Sequence, residues 1–324
     1  MRRAAAVSIA REPMPWPSSE PAELRSAFAQ AAKAAAALTR RPDLPDEAMQ
    51  SADEENAMAG FHVIAGAESQ LVRPIVRKID VSDVIDALRL GIADFNRRPS
   101  HYAFLCLIYP VAGIFLAVWS AGANLLPLLF PLMSGFALLG PLAALGLYEI
   151  SRREERGGEP SWQDALEVFR SPALPSILAV GLMLLALFTA WLLVAQAIYT
   201  SSFGEAAPAS LSAFVSDVLT TQEGRQMMLW GNLAGFVFAV FVLATTVVAF
   251  PLLLDRDVGA AAAVDASIRA TLANPLPVAL WGLIVAAMLA IGTIPVFAGL
   301  VVVMPILGHS TWHLYRKLVA PEIR

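Results

Sequence analysis

Between Arg98 and Arg152 the only side chains that ionise near neutral pH are His101 and Glu149. A helix needs about 20 apolar residues to cross about 30 Å of hydrocarbon. This run is too long for one crossing and suits two. The break falls at Gly122-Ala123-Asn124, a turn-type cluster, between expected spans at about 102–121 and 125–150. A second such run goes from Arg269 to Arg316 and holds only His309 and His313. It reads as another hairpin, with spans at about 277–291 and 295–314 turning near Gly292-Thr293. The segments 174–199 and 229–254 are apolar throughout, with Gln196 and Asn232 near their far ends. Cores of soluble proteins rarely contain apolar helices of this length without charge. The expected class is therefore all-α: a polytopic membrane protein of six transmembrane helices.

The six spans fall into three repeats, each an amphipathic helix followed by a hairpin. The first lead-in, DVSDVIDALRLGIADFNRRP, has Val81, Val84, Ile85, Leu88, Ile92 and Phe95 at steps of three and four, which form one helical stripe. Ser82 is a suitable N-cap. Such a helix can lie in the membrane interface or pack on the ends of the spans. The second lead-in opens at Ser161 and Asp164, close to capping-box spacing, and carries Trp162, Leu166 and Phe169 as a short stripe. The third runs from Asp257 to Pro275 with Val264, Ile268 and Leu272 in line. All three carry an Asp-Ala pair (Asp86-Ala87, Asp164-Ala165, Asp265-Ala266) and end at a proline (Pro99, Pro172, Pro275). Proline suits a helix stop. The first and last hairpins also match at their exits: Pro141 precedes Arg152 by the spacing at which Pro305 precedes Arg316. Repeats of this kind argue for duplication, not for transport.

Residues 1–78 differ in kind and form an expected cytoplasmic tail ahead of the membrane domain at 79–320. Met1–Ser19 lacks the apolar core of a secretory signal. Its acid-poor opening with Arg2, Arg3 and Arg11 faintly resembles a transit peptide, and a flexible bacterial tail is the preferred reading. Ala22–Arg40 suits an alanine-rich helix, and the acidic stretch from Pro42 to Glu68 reads as a linker. Over the whole chain 57% of residues are hydrophobic and 15% charged, and the mean hydropathy is +0.61. The net charge of −4 provides no basic field for nucleic acid. The one cysteine, Cys106, excludes an intrachain disulfide and a cysteine-rich metal site.

Basic residues near the span ends set the orientation. Arg97, Arg98, Arg152, Arg153, Arg156, Arg170, Arg256, Arg269, Arg316 and Lys317 fall on one side, and only Arg225 on the other. Six spans with both termini cytoplasmic satisfy every loop. The Tyr199–Leu229 loop is then external. Its stripe of Leu211, Phe214, Val215, Val218 and Leu219 predicts a short helix lying on the outer surface.

Few residues could carry chemistry. His309 and His313 are four apart, so both rings project from one helical face. That spacing can hold a metal or place two imidazoles near one cofactor. No third ligand stands beside them, and Trp312 and Tyr315 at the same depth suit interface anchoring instead. Glu149 sits at the equivalent exit of the second span, where Arg152, Arg153 or His309 can pair with it. An ionisable group in a span is a candidate functional site, and Glu149, His309 and His313 are the candidates here. The middle of the bilayer is otherwise almost bare of polar groups. Prolines at 110, 127, 131, 141, 251, 295 and 305 read as kinks, and Gly231–Gly235 is a GxxxG pair. P-loop, dinucleotide, HExxH and nucleophile-elbow patterns are missing from the chain.

The entry VSDVIDALRLGIADFNRRPSHY and the exit MPILGHSTWHLYRKLV resemble a family of predicted bacterial integral membrane proteins, domain-of-unknown-function family 2189. The resemblance covers about residues 75–320. It implies a bacterial inner membrane. Some members carry a label resembling cytochrome c oxidase subunit I, but the four histidines of this chain are too few for haem–copper chemistry, and His62 and His101 precede or open the first span.

The expected protein is thus a non-enzymatic scaffold or accessory subunit of the inner membrane, without cofactor. Its partners are the lipid bilayer and a second membrane protein or another copy of itself. A carrier for a small or lipophilic solute is the alternative. A haem- or metal-binding respiratory accessory using His309 and His313 is the third reading.

Overall fold

A computed structural model describes residues 73–97, 106–122, 126–159, 161–205 and 208–321. The alanine-rich and acidic tail segments, His62, His101 and the start of the first expected span lie outside these residues. What is described is all-α. Twelve α-helices follow in order: α1 Val81–Arg97, α2 Ile108–Gly122, α3 Leu129–Leu138, α4 Gly140–Ala143, α5 Leu145–Glu155, α6 Leu174–Phe203, α7 Leu211–Thr220, α8 Gln222–Thr246, α9 Ala249–Asp255, α10 Ala260–Ala273, α11 Pro275–Thr293 and α12 Leu300–Leu318. Two 3₁₀ helices, Leu126–Leu128 and Trp162–Arg170, complete the set.

Among the described residues, three segments are long and apolar enough to cross a membrane: Leu174–Phe203, Gln222–Asp255 and Pro275–Thr293. Most of the first and third is uncovered by protein, as lipid-facing helices are. The expected second span is instead a broken path through α3, α4 and α5. Pro141 has no N–H to offer one turn back, and the helix interrupts at Leu139. Pro251 acts likewise: it cannot donate to the Val247 carbonyl, and α8 gives way to α9 at Val247–Val248. The Val248 N–H finds Ser267 Oγ of α10 at 3.0 Å, so the break leaves no orphan donor there. Pro305 is held inside α12. The turn between α11 and α12 comes at 294–299 rather than at Gly292-Thr293, so α12 starts at Leu300 and not at 295.

That turn holds Val296 and Phe297 in the left-handed region, with φ of 51° and 64°. Such a conformation costs about 1–3 kcal/mol for a side-chain-bearing residue. Burial of the Phe297 ring against Gly113 offsets it: a Cβ at Gly113 would come within 2.6 Å of that ring.

The three lead-ins are present as α1, the Trp162–Arg170 helix and α10. They pack on other helices as follows: α1 on α12, Trp162–Arg170 on α5, and α10 on α8 and α9. The faces used coincide with the large apolar stripes only in part. In α1 the buried line is Val84, Ala87, Gly91 and Asp94, while Val81, Leu90 and Ile92 stay partly exposed. Small residues win because they let the backbones approach: a Cβ on Gly91 would lie 2.8 Å from Ser310 Cα. In α10 the buried face is Ala263, Ala266, Ser267 and Ala270, and Leu272 of the expected stripe is 75% exposed.

The second lead-in is a 3₁₀ helix, which repeats every three residues. Ala165 and Val168 therefore share the buried face, Leu166 and Phe169 a second exposed face, and Asp164, Glu167 and Arg170 a charged third. Its capping box is formed, with the Ser161 N–H donating to Asp164 Oδ2 at 2.7 Å. Ser82 does not cap α1, because the helix begins one residue earlier; the Asp80 N–H instead donates to Asp83 Oδ2 at 3.0 Å.

A strap of backbone pairs the two ends of the described chain. Val76 bridges Val319 in antiparallel fashion, and the Arg77 N–H donates to the Leu318 carbonyl at 2.8 Å. Asn274, 2% exposed, pins this strap to α10: its Oδ1 accepts from the Ile79 N–H at 2.8 Å and its Nδ2 donates to the Arg77 carbonyl at 3.0 Å.

At the far end, α7 is a short helix with no buried residue, as the loop pattern suggests. Ser210 caps it, and Phe214 meets the rings of Tyr199 and Phe203 at 6.0 and 6.5 Å.

Candidate functional site

The three candidates, Glu149, His309 and His313, all lie toward one end of the bundle, where α1, α5, α9 and α12 converge. Gly308 makes the convergence possible. A Cβ there would lie 2.7 Å from Leu147 Cβ, so only glycine lets α12 press against α5 at this level.

Glu149 is 1% exposed, and burying a lone carboxylate is costly. It is not alone. Arg152 donates to both of its oxygens at 2.8 Å, and Arg153 to Oε1 at 3.2 Å. Such fork-to-fork pairing is the strong form of the interaction. Arg152 also donates to the Leu254 carbonyl at 2.9 Å, which ties α5 to α9. The alternative pairing of Glu149 with His309 does not form, because the carboxylate is filled from its own helix and Ser151 takes the imidazole.

His309 is fully buried, and its Nδ1 lies 2.6 Å from Ser151 Oγ. His313 turns to the other side of the same face: its Nε2 lies 2.6 Å from Asp94 Oδ2 on α1. Asp94 is 3% exposed. Burial pushes its carboxyl up, yet the His313 hydrogen bond and the charges of His313, His309 and Arg97 hold it below the ordinary 3.8. Arg97 bonds Asp94 as well, and reaches Glu154 on α5.

One turn further along α12, Trp312 Nε1 donates to Glu155 Oε2 at 3.0 Å and Arg316 Nε to the same oxygen at 2.8 Å. Tyr315 and Arg316 both reach Asp255 of α9, at 2.7 and 2.9 Å. The Arg316 guanidinium stacks 5.2 Å from the Trp312 ring. Lys317 completes the turn on Asp83 and Asp86 of α1, at 3.1 and 2.7 Å. The end of α12 is thus a hub that grips α1, α5 and α9 at once.

The sequence does not reveal Ser151, Asp94, Glu155 or Asp255 as partners. Each sits in an unremarkable charged or helical context, and only the convergence of distant helices selects it. Among the described residues no group of three or more His, Cys, Asp or Glu could hold a metal ion. The two imidazoles each have a ring nitrogen on a protein partner.

Two clefts open nearby. One, of about 230 Å³, lies between the ends of α5 and α9 and the start of α6. The other, of about 450 Å³, is apolar and lies between α6 and α10.

Long apolar helices ending in a dense ionic layer are what a bilayer demands. Residues 129–255 match the family model described as predicted integral membrane protein (DUF2189). The match runs from α3 through α9 and contains neither the entry nor the exit motif on which the resemblance stands in the sequence. It is therefore narrower than 75–320. No curated protein and no solved structure matches the chain. This integral membrane protein accordingly has its site defined by its own geometry.

Proposed function

We propose that this integral membrane protein is a non-enzymatic scaffold or accessory subunit. In this reading six spans cross a bacterial inner membrane and both termini face the cytoplasm. The observation that carries it is the state of the candidate residues. His313 and Asp94 join α12 to α1, and His309 is buried against Ser151 of α5. Glu149 is held by Arg152 and Arg153 of its own helix, the first of which ties α5 to α9 through the Leu254 carbonyl. Groups that fix helices to one another serve as architecture. Catalysis would need some of them to meet a substrate.

The three-repeat arrangement is part of the proposal. It is supported by Arg153 holding Asp164 as Lys317 holds Asp86, with the two bases at equivalent places after Pro141 and Pro305. A solute carrier would place its site near the bilayer midplane. The two clefts described above instead lie at the charged end and on its flank.

The test is the native particle. Protein extracted with its surrounding lipid into polymer discs is weighed by native mass spectrometry. A fixed assembly heavier than the 34.6 kDa chain is expected, with an absorption spectrum unchanged between oxidised and reduced forms. A single chain that drives saturable solute uptake in proteoliposomes would sink the scaffold reading in favour of a carrier. A stoichiometric haem or metal lost in a His309→Ala, His313→Ala variant would promote the redox reading.

A further inference from the structure

We propose that the cleft at the start of α6 binds the phosphate of a membrane lipid headgroup. Four arginines line it: Arg152, Arg153, Arg170 and Arg256. Four carboxylates, Glu149, Glu167, Asp255 and Asp257, line it too, so formal charge alone does not decide what it accepts. The hydrogen bonding does. Glu149 is filled by Arg152 and Arg153, and Asp255 is filled from outside the cleft by Tyr315 and Arg316. Arg316 therefore adds a further cation to the balance. Donors are left over: Arg153 Nη2 stops 3.8 Å short of Glu167, and Arg170, 79% exposed, meets Glu167 through Nη1. Arg152 also donates to the Leu254 carbonyl, Arg153 to Asp164 and Arg256 to the Ala320 carbonyl. The donors left to a ligand are therefore chiefly those of Arg170 at the mouth, which carries five N–H groups and bonds Glu167 through Nη1.

The lip of the cleft is the turn between the 3₁₀ helix and α6. Ser171, Pro172 and Ala173 form it, and they lead into the 30-residue helix α6. The turn is held by its own chain: the Leu174 N–H donates to the Ser171 carbonyl at 3.0 Å and the Ala173 N–H to Ser171 Oγ at 3.3 Å.

The wall of the cleft says where the phosphate comes from. Glu167 and Arg170 stand on the charged face of the 3₁₀ helix, and its neighbouring face points Leu166 and Phe169 outward, 53% and 69% exposed. An element with an apolar face beside a charged one settles at the boundary between acyl chains and headgroups. A phosphate that arrives with acyl chains attached satisfies both faces, whereas a free anion would use only one. The inference rests on the charged end lying level with the headgroups. It does not depend on the scaffold role.

The test uses the full chain, delipidated in a neutral detergent, and follows its thermal unfolding midpoint. The probes are phosphatidylglycerol, an uncharged galactolipid with the same acyl chains, and inorganic phosphate. Phosphatidylglycerol is expected to raise the midpoint by several degrees, and the other two are not. Arg170→Gln should reduce that shift by about half, and Ser171→Glu, which places a carboxylate in the lip, should abolish it. Arg170 is exposed, and Ser171 is half-buried with one long bond from the Ala173 N–H at 3.3 Å, so the lipid-free midpoints should stay near the native value. Arg89→Gln, at an exposed arginine on α1 away from the cleft, should keep the full shift. Equal shifts from the galactolipid would mean bulk lipid solvation and overturn the site. Equal shifts from inorganic phosphate would mean a free-anion site and overturn the lipid. Retention of the shift in Ser171→Glu, or its loss in Arg89→Gln, would remove the cleft as its source.

Discussion

Lys317 and Asp86 meet at 2.7 Å across 231 residues of chain, and Arg153 and Asp164 meet at 2.9 Å in the same relation. In each pair a base near the end of a helix grips the aspartate of an Asp-Ala pair, while the alanine beside it is buried, Ala87 at 0% and Ala165 at 7%. The third pair departs from this. Asp265 bonds Arg269 of its own helix at 2.8 Å, because α9, on which α10 packs, ends in Asp255 and offers an acid where the others offer a base.

Reversal of Lys317 to Glu should therefore weaken the docking of α1. The Asp86 side chain is 54% exposed, so solvent screens the pair and the attraction is worth only about 0.5 kcal/mol. Repulsion from both Asp83 and Asp86 brings the expected loss to about 1 kcal/mol. An Asp86→Lys, Lys317→Glu double variant should recover about half of it, as read from unfolding midpoints in detergent. No recovery would mean that the pair is incidental.

Gly91→Val should detach α1 from α12. Its side chain would collide with the backbone N and Cα of Ser310, at 2.6 and 2.8 Å from the first added carbon, and neither can rotate away. Overpacking of this kind costs about 1–3 kcal/mol. In a Cys106→Ser background, a cysteine at Ala87 should be inert to a maleimide in the native chain and react readily once Gly91→Val is added. If it stays protected, the seam is looser than the structure indicates.

The α1–α12 contact also has a defined pH window. A backbone hydrogen bond from Asp80, then the one from Lys317, hold the Asp83 carboxyl below 3.8. A carboxyl depressed in the folded state stabilises above its unfolded value and loses that effect as pH falls through its folded value. Asp86, then Asp83, hold the Lys317 ammonium above 10.5. A raised lysine stabilises below its unfolded value and loses that effect as pH rises through its folded value. The midpoint difference between native protein and Lys317→Met should thus be flat between 3.8 and 10.5 and shrink beyond both limits. A difference that instead changed steeply near neutral pH would assign the contact to other groups.

How much of this is legible in the sequence follows from the range of the interactions. Apolar runs, Asp-Ala pairs and prolines act within one turn of helix, and they give the all-α class and the lead-ins; the prolines read as kinks, whereas at Pro141 and Pro251 the helix is broken outright. The 3₁₀ form of Trp162–Arg170 does not show, since an α-helical period fits Trp162, Leu166 and Phe169 equally well. The seams are also hidden: periodicity marks large apolar residues, whereas close approach selects Ala87, Gly91 and Ser310. For the candidate residues, Glu149 finds Arg152 and Arg153 within four positions, a pairing the spacing suggests. Ser151 for His309 and Asp94 for His313 come from 158 and 219 residues away, and nothing local points to them.

Glu149 gives the sharpest stability prediction. Its side chain is 1% exposed while Arg152 and Arg153 are 23% and 39% exposed, so the carboxylate depends on the arginines more than they depend on it. Glu149→Gln keeps the shape, removes the charge, and should cost about 3 kcal/mol, toward the lower end for a broken buried pair because the arginines can turn to water. Arg170→Ala, at a side chain 79% exposed, should cost less than about 0.5 kcal/mol. Denaturation curves of the two variants side by side would check the order, and comparable losses would contradict it.

The six-span reading makes a prediction that the three longest helices do not settle. If α2 and the broken α3–α5 path cross the bilayer as one hairpin and α11 and α12 as another, every cluster of bases stays on one side. In a Cys106→Ser background, cysteines at Ser216 on α7 and at Ile294, 80% exposed in the turn before α12, should then react with an impermeant maleimide in intact cells. Cysteines at Arg89 on α1 and at Glu159 after α5 should react only after the membrane is opened. The Ile294 site is decisive, because α12 carries His309, His313, Arg316 and Lys317 and lacks the uninterrupted apolarity of α6 or α11. Should Ile294 and Glu159 label from the same side, α12 does not cross, and the hub at its end belongs to a peripheral helix rather than to the exit of a span.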